Sequence, residues 1–207
     1  MNNYSNKYIQ SINDGLIKSI YHIKQIKTKS DAFFDSINEY LHIIQKKKGR
    51  LFFFGNGASA AFSNHMALDW SKNGGILSLC LSDSAMLTAL ANDYDYDHCF
   101  LEFLKINMPT ENDLIITTSS SGNSPNVVNV LSFCKNNNIK TLALSGLNLE
   151  NKSMKIADYS LFVPLKTYGM VECIHQVFHH LILDKFMNVE EWNKEESQNM
   201  DAKNFKL

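Results

Sequence analysis

The sequence predicts an α/β fold: a three-layer αβα arrangement around a doubly wound sheet of about five parallel strands, with N-terminal helices that serve oligomerisation. Three observations predict it. Short, nearly continuous apolar runs stand at 51–54, 76–81, 114–118, 139–144 and 159–163, the pattern of strands buried on both faces. Helical patterns at about 58–73, 85–106, 125–137 and 169–188, with a short one near 150–156, lie between or after them, so strand and helix alternate. The first fifty residues carry helical periodicity alone.

In that opening stretch, Tyr8, Ile9, Ile12, Leu16, Ile20, Ile23 and Ile26 fall on one 3.6-residue stripe. Phe33, Phe34, Ile37, Leu41 and Ile44 form a second, with Ser30 and Asp31 as capping candidates. Neither stripe can stay in water, so both helices are expected to pack on the body or on another subunit. Lys46, Lys47 and Lys48 close the second helix, where cations complement the helix dipole. The alternating region follows from Arg50. Phe52, Phe53 and Phe54 read as core strand residues, and Trp70 is expected at the end of its helix or at an interface. From 189 onward charged and amide residues dominate, which predicts a short turn using Trp192 and then a frayed end. The expected organisation is one domain over 1–188, including the helical pair at 1–49, followed by a polar tail at 189–207.

Composition bounds the function. A chain of 207 residues with 44% hydrophobic and 20% charged residues suits an ordinary globular core. With a formal net charge of −1 and no basic run beyond Lys46 to Lys48, the chain lacks the footprint of a nucleic-acid binder. Cys80, Cys99, Cys134 and Cys173 lie far apart without a CxxC pair, which reads as buried free thiols in a reducing cytoplasm. The polar start resembles no signal peptide, and no apolar run reaches the ~18 residues needed to cross a bilayer. A cytoplasmic protein with no membrane partner is expected.

The chemistry concentrates at two strand-to-helix turns. After the run at 114–118 come Ser119, Ser120, Ser121, Gly122, Asn123, Ser124 and Pro125. Ser124 suits an N-cap and Pro125 the first helical position, where no amide hydrogen is required. The free N–H groups of such a helix start favour an anion, and the serine hydroxyls add donors. No Lys stands in the turn, as it would in a nucleotide-binding P-loop. A phosphate monoester is therefore the expected guest. The second turn, Gly55-Asn56-Gly57-Ala58-Ser59, lacks the GxGxxG spacing of a dinucleotide site. It is expected to form the opposite wall of a cleft, with Asn56 and Ser59 available to sugar hydroxyls.

Three segments together resemble the SIS (sugar isomerase) family, and in particular its phosphoheptose isomerase branch. They are Gly55 to Ser59 with His65 following, Ala91-Asn92-Asp93-Tyr94-Asp95-Tyr96, and Ser119 to Ser124. A looser fourth runs from Ile174-His175 to His180-Leu181. The resemblance implies an aldose–ketose isomerase that converts sedoheptulose 7-phosphate to D-glycero-D-manno-heptose 7-phosphate for surface polysaccharides, working as a homotetramer with sites at subunit interfaces. It places substrate contacts on Asn56, Gly57, Ala58, Asn92, Asp93, Ser119, Ser120, Ser121 and Ser124, with Glu172 also at the substrate. It puts the base on Asp69, the acid on His180, and zinc ligands on His65, Asp69, Glu172 and His180. The chain departs from the family pattern in having Asp69 for Glu, Glu172 for Gln, Ala58 for Gly, and Gly169-Met170 for an Asp-Arg pair.

Isomerisation through an enediol requires a base, an acid and oxyanion stabilisation. His65 and Asp69, four apart, share one helix face and suit a shared metal or substrate; histidine and carboxylate ligands suit Zn2+. Glu172 and His180 are eight residues apart on one predicted helix, or ~12 Å along its axis. A single ion held by both would need a broken helix or a second subunit. Core or solvated roles remain open for His175, His179 and His180. Two functional alternatives also remain: a noncatalytic SIS module that binds a phosphosugar as a signal or acts in assembly, and an isomerase of a different phosphosugar.

Overall fold

The computed structural model describes residues 3–193. The chain opens with helix α1 (Tyr4–Ile17), a hairpin of β1 (Ile20–Ile23) and β2 (Ile26–Thr28), and helix α2 (Ser30–Lys46). The alternating part runs β3 (Leu51–Gly55), α3 (Ala58–Lys72), β4 (Ser78–Cys80), α4 (Ser84–Asp93), α5 (Cys99–Ile106), β5 (Leu114–Ser119), α6 (Pro125–Asn136), β6 (Lys140–Gly146), α7 (Lys152–Ile156), β7 (Tyr159–Val163) and α8 (Tyr168–Met187). A 3-10 turn at Glu191–Asn193 follows. It carries the exposed Trp192; residues 194–207 of the expected tail lie outside the described residues.

The five expected parallel strands are present, joined by two more. The sheet order is β2-β1-β7-β6-β5-β3-β4. Strands β4, β3, β5, β6 and β7 pair in parallel, whereas β1 runs antiparallel to β7 and β2 antiparallel to β1. Ile20, Ile23 and Ile26, expected on the first helical stripe, therefore lie in the hairpin instead. The helix stops at Ile17, and Lys24 and Gln25 take positive φ values of 48° and 68° at the turn, the sense a tight hairpin requires. The expected helix at 85–106 is two helices, broken where Asp95 adopts φ 152°. Ser30 and Asp31 lie inside the first turn of α2, whose N-cap is Lys29.

Alternation along each strand divides the core between the two faces. Leu51, Phe53, Leu114, Ile116, Leu142 and Leu144 face one layer, built on α2, α3 and α8. Phe52, Phe54, Ile115 and Ala143 face the other, built on α4, α5 and α6. Trp70 is 1% exposed and packs on Phe186 at 5.0 Å between ring centroids, so it is a core residue of the first layer. Strand order among the parallel five reverses between β3 and β5. At that switch point the carboxyl ends of neighbouring strands open a crevice where α/β sheets bind ligands. Both turns singled out in the sequence emerge there.

Candidate active site

The registers bring the two turns together. Gly55 at the end of β3 is opposite Thr118 on β5, one residue before the serine turn. Ser124 is the N-cap of α6 with Pro125 at its start, as expected, but its hydroxyl makes no capping bond. It lies instead 3.3 Å from the Ser119 hydroxyl. The Ser124 side chain covers none of the first amides of α6, but Pro125 has no amide hydrogen and the Val127 amide already meets the Ser124 carbonyl at 3.1 Å and Asn126 Oδ1 at 3.0 Å. The helix thus offers the turn its positive dipole end rather than a row of free amides. Ser119 and Ser120 are buried, while Ser121 and Ser124 are half-buried. The Ser120 Oγ is buried without a hydrogen-bond partner, an arrangement that costs free energy unless a ligand completes it.

The turn is braced from behind. The Gly122 carbonyl accepts bonds from the Ser153 amide at 3.0 Å and the Ser153 hydroxyl at 2.9 Å, and Asn123 Oδ1 accepts from the Lys152 amide at 3.0 Å. Gly122 has φ 62°, and a Cβ there would collide with the Asn151 side chain. Only glycine suits both the backbone angle and the space.

In the facing turn, Asn56 and Asn126 exchange two amide bonds, each 3.0 Å long. The Tyr96 hydroxyl donates to Asn56 Oδ1 at 2.9 Å. Gly57 and Ala58 are exposed, with Gly57 at φ 58°. Ser59 is 3% exposed, making it the most buried of the expected sugar contacts. Asn92 and Asp93 end α4 on the exposed surface and bond to each other at 3.0 Å.

A second cluster lies on the seam between α3 and α8. His65, Asp69 and His180 offer ligand atoms within 4.8 Å of one another. His65 Nε2 is 3.2 Å from Asp69 Oδ2, yet the pair is not aligned as a hydrogen bond, and Oδ2 is buried without a hydrogen-bond partner. An orphaned carboxylate oxygen between two imidazoles fits either a proton to be moved or a cation. Two nitrogens and one oxygen also form a three-ligand zinc set with a position to spare. Gln176 Nε2 lies 2.8 Å from His180 Nε2, so a cation taking that nitrogen displaces the amide.

Glu172 does not join this cluster. Helix α8 is continuous from Tyr168 to Met187, which leaves Glu172 about two turns, or ~12 Å, from His180. Within one chain the cluster brings together three of the four expected ligands. The other two histidines are structural. His179 Nε2 meets Thr118 Oγ1 at 2.8 Å and His175 Nε2 meets the Ser145 carbonyl at 3.1 Å. Burial pushes their pKa values down to about 3 and about 4, so both are neutral near pH 7. These bonds tie α8 to the ends of β5 and β6.

Sequence reasoning missed Asn126, Asn151 and Gln176, and gave Tyr96 no role of its own. A single amide at a helix start, as at Asn126 and Asn151, or within a helix, as at Gln176, reads as a solvated position, and nothing in the pattern distinguishes it. A groove of about 710 Å³ borders His180 and is lined by Asn38, Gln176, Val177, Leu181 and Trp192 among others; no residue of the serine turn lines it.

Residues 17–146 match the model of the SIS domain. The phosphoheptose isomerase of Aneurinibacillus thermoaerophilus is 31% identical over 194 residues, covering 88% of this chain and 91% of the relative. That of Sulfurimonas denitrificans is 32% identical over 177 residues, covering 81% and 90%. The solved phosphoheptose isomerase of Neisseria gonorrhoeae superposes with a TM-score of 0.76 at 23% identity, over 90% of this chain and 96% of that one; at that identity the likeness concerns the fold.

Proposed function

The chain belongs to the SIS domain family, and we propose that this phosphosugar isomerase converts sedoheptulose 7-phosphate to D-glycero-D-manno-heptose 7-phosphate through an enediol. The relatives that carry the phosphoheptose isomerase name match it along most of both chains. The observation that carries the mechanistic reading is Asp69, a buried carboxylate with an unpartnered oxygen set between His65 and His180.

In this reading the phosphate sits at the serine turn, against Ser119, Ser120, Ser121, Ser124 and the amide end of α6. Asn56, Gly57, Ala58 and Ser59, with Asn92 and Asp93, surround the sugar. Asp69 removes the proton at C1 of the ketose, and the C1–C2 enediol forms as the carbonyl oxygen gains a proton. Return of a proton to C2 and loss of one from the C1 hydroxyl give the aldose. His180 supplies the acid. Zinc fits His65, Asp69 and His180, and when bound it would stabilise negative charge developing on a substrate oxygen.

Glu172 then serves a neighbouring subunit's site or its substrate, in a homotetramer with sites at subunit interfaces. Leu68 on α3, Val177 on α8 and Ile43 on α2 expose apolar surface in this one layer, which supports association there. The four cysteines are free thiols, with Cys99 and Cys134 buried as expected but Cys80 half-buried and Cys173 exposed. Unpaired thiols support the cytoplasmic placement, and no helix among the described residues is long and apolar enough to cross a membrane.

The test is Asp69→Asn. General base loss lowers kcat by about 100-fold or more, with inorganic phosphate still competing for the serine turn and bound zinc reduced. Near-normal turnover by this variant removes Asp69 as the base. Full activity in untagged protein free of metal removes zinc from the mechanism.

A further inference from the structure

We infer that Asn126 and Tyr96 are positioning residues that leave Asn56 only an N–H to offer, so that Asn56 serves the sugar phosphate as a donor alone, the role that an oxygen without a hydrogen of its own requires. The inference rests on the isomerase reading above.

The polarity of the network is fixed from a backbone amide outward. The Val127 N–H, which can only donate and is shared with the Ser124 carbonyl at 3.1 Å, also points at Asn126 Oδ1 at 3.0 Å, where an NH2 group would repel it. That identifies which atom of the Asn126 amide is oxygen, so its other end is the NH2 group. The NH2 group faces Asn56, and the atom it meets at 3.0 Å is therefore Asn56 Oδ1. Asn56 Nδ2 in turn donates back to Asn126 Oδ1 at 3.0 Å. The Tyr96 hydroxyl donates at 2.9 Å to the same Asn56 oxygen.

An amide oxygen has two lone pairs and an amide nitrogen two hydrogens. Both lone pairs of Asn56 Oδ1 are taken, one by Asn126 and one by Tyr96. One hydrogen of Nδ2 is taken by Asn126. A single N–H remains, on a half-buried residue at the carboxyl end of β3, beside the serine turn. An unconstrained asparagine could turn its amide over and accept from a hydroxyl; this one cannot without breaking both bonds to Asn126 and reversing the Tyr96 hydroxyl. Asn126 is 1% exposed, so the constraint is anchored in the fold. Tyr96 arrives on the turn that separates α4 from α5. There Asp95 holds its uncommon φ of 152° with Oδ1 accepting from the His98 amide at 2.8 Å, and Asn129 donates to the Asp97 carbonyl at 2.9 Å.

Oxygens that only accept occur at two places on the proposed substrate: the carbonyl that becomes the enediolate, and the phosphoryl group. The fixed N–H suits either, and it disfavours a hydroxyl that must donate. A donor held in place before the reaction is the arrangement that stabilises developing charge.

The experiment measures kcat/KM for Tyr96→Phe, Asn126→Asp, Asn56→Ala and the doubles Asn56→Ala/Tyr96→Phe and Asn56→Ala/Asn126→Asp. It also measures affinity for inorganic phosphate and for a hydroxamate sugar phosphate that mimics the enediolate. Each positioning variant is expected to lose about tenfold in kcat/KM, and each double to match Asn56→Ala alone, because the partners act only through Asn56. Loss of hydroxamate affinity with phosphate affinity kept assigns the N–H to the reacting oxygen; loss of both assigns it to the phosphoryl group. Tyr96 is exposed, so Tyr96→Phe carries the test should the buried Asn126→Asp fail to fold. Additive losses in the doubles, or unchanged affinity for both ligands, overturn the inference in an enzyme that is otherwise active. No turnover by the unaltered protein overturns the isomerase reading and this inference together.

Discussion

His175 shows what a single residue contributes through its surroundings. Its Nε2 donates to the Ser145 carbonyl, while its Nδ1 is buried with no partner. Burial disfavours the charged ring and pushes the pKa from 6.5 down to about 4. Below 6.5 the unfolded chain binds a proton that the folded chain refuses until about pH 4. The contribution to stability is therefore present above 6.5 and is lost as pH falls through that window. We predict that unfolding free energy drops by up to about 1.4 kcal/mol per pH unit from this site, and that His175→Gln flattens the slope. Urea midpoints between pH 7.5 and 4.5 check it; an unchanged slope in the variant contradicts the assignment. From the helical pattern, His175, His179 and His180 could not be told apart, because core and ligand histidines share the same helix, and the resemblance alone singled out His180. Only the facing strands separate them: Thr118 and Ser145 claim the first two, and His65 leaves the third for the site.

Among the elements, the start of β3 is pinned to the start of β5 by one buried carboxylate. Asp113 is 1% exposed. Its oxygens accept from Arg50 Nε at 3.2 Å, Arg50 Nη2 at 2.9 Å, the Arg50 amide at 2.8 Å and the Thr110 amide at 2.7 Å. Arg50 in turn donates to the carbonyls of Asn107 and Met108 at 2.9 and 3.0 Å. Removing one partner of such a pair strands the other, so Asp113→Ala is expected to cost about 3 kcal/mol. Chemical denaturation reads this directly, and a loss below about 1 kcal/mol would place the pair among ordinary surface bridges.

Four of the five parallel strands were legible because strands buried on both faces leave unbroken apolar runs; β4, half-buried at the sheet edge, shows only as the short run around it. The hairpin was not. Ile20, Ile23 and Ile26 continue the spacing of the preceding helix, and the Lys24-Gln25 turn lacks the glycine or asparagine that announces a hairpin. The break between α4 and α5 was hidden likewise, since Asp95 takes a backbone angle that normally marks glycine. In the site, hydroxyl density disclosed the serine turn, whereas the Asn56–Asn126 pair joins residues seventy apart, which no local pattern records.

For the whole molecule, the fold supplies two distinct surfaces. The switch point between β3 and β5 presents the serine turn braced by α7, and the α3–α8 seam presents the histidines and the carboxylate. The second surface shares its layer with the exposed Leu68 and Val177, which suits a site that a neighbouring chain closes. Light scattering is expected to give a mass of four chains; a monomer at micromolar concentration contradicts the interface. The chemistry itself is tested most directly by incubating the protein with sedoheptulose 7-phosphate in deuterated water and following the C1 protons by NMR. The account predicts loss of C1 proton signal as deuterium enters from the solvent, with aldose appearing alongside. Unchanged C1 protons and no aldose, while the sugar phosphate is bound, would contradict it.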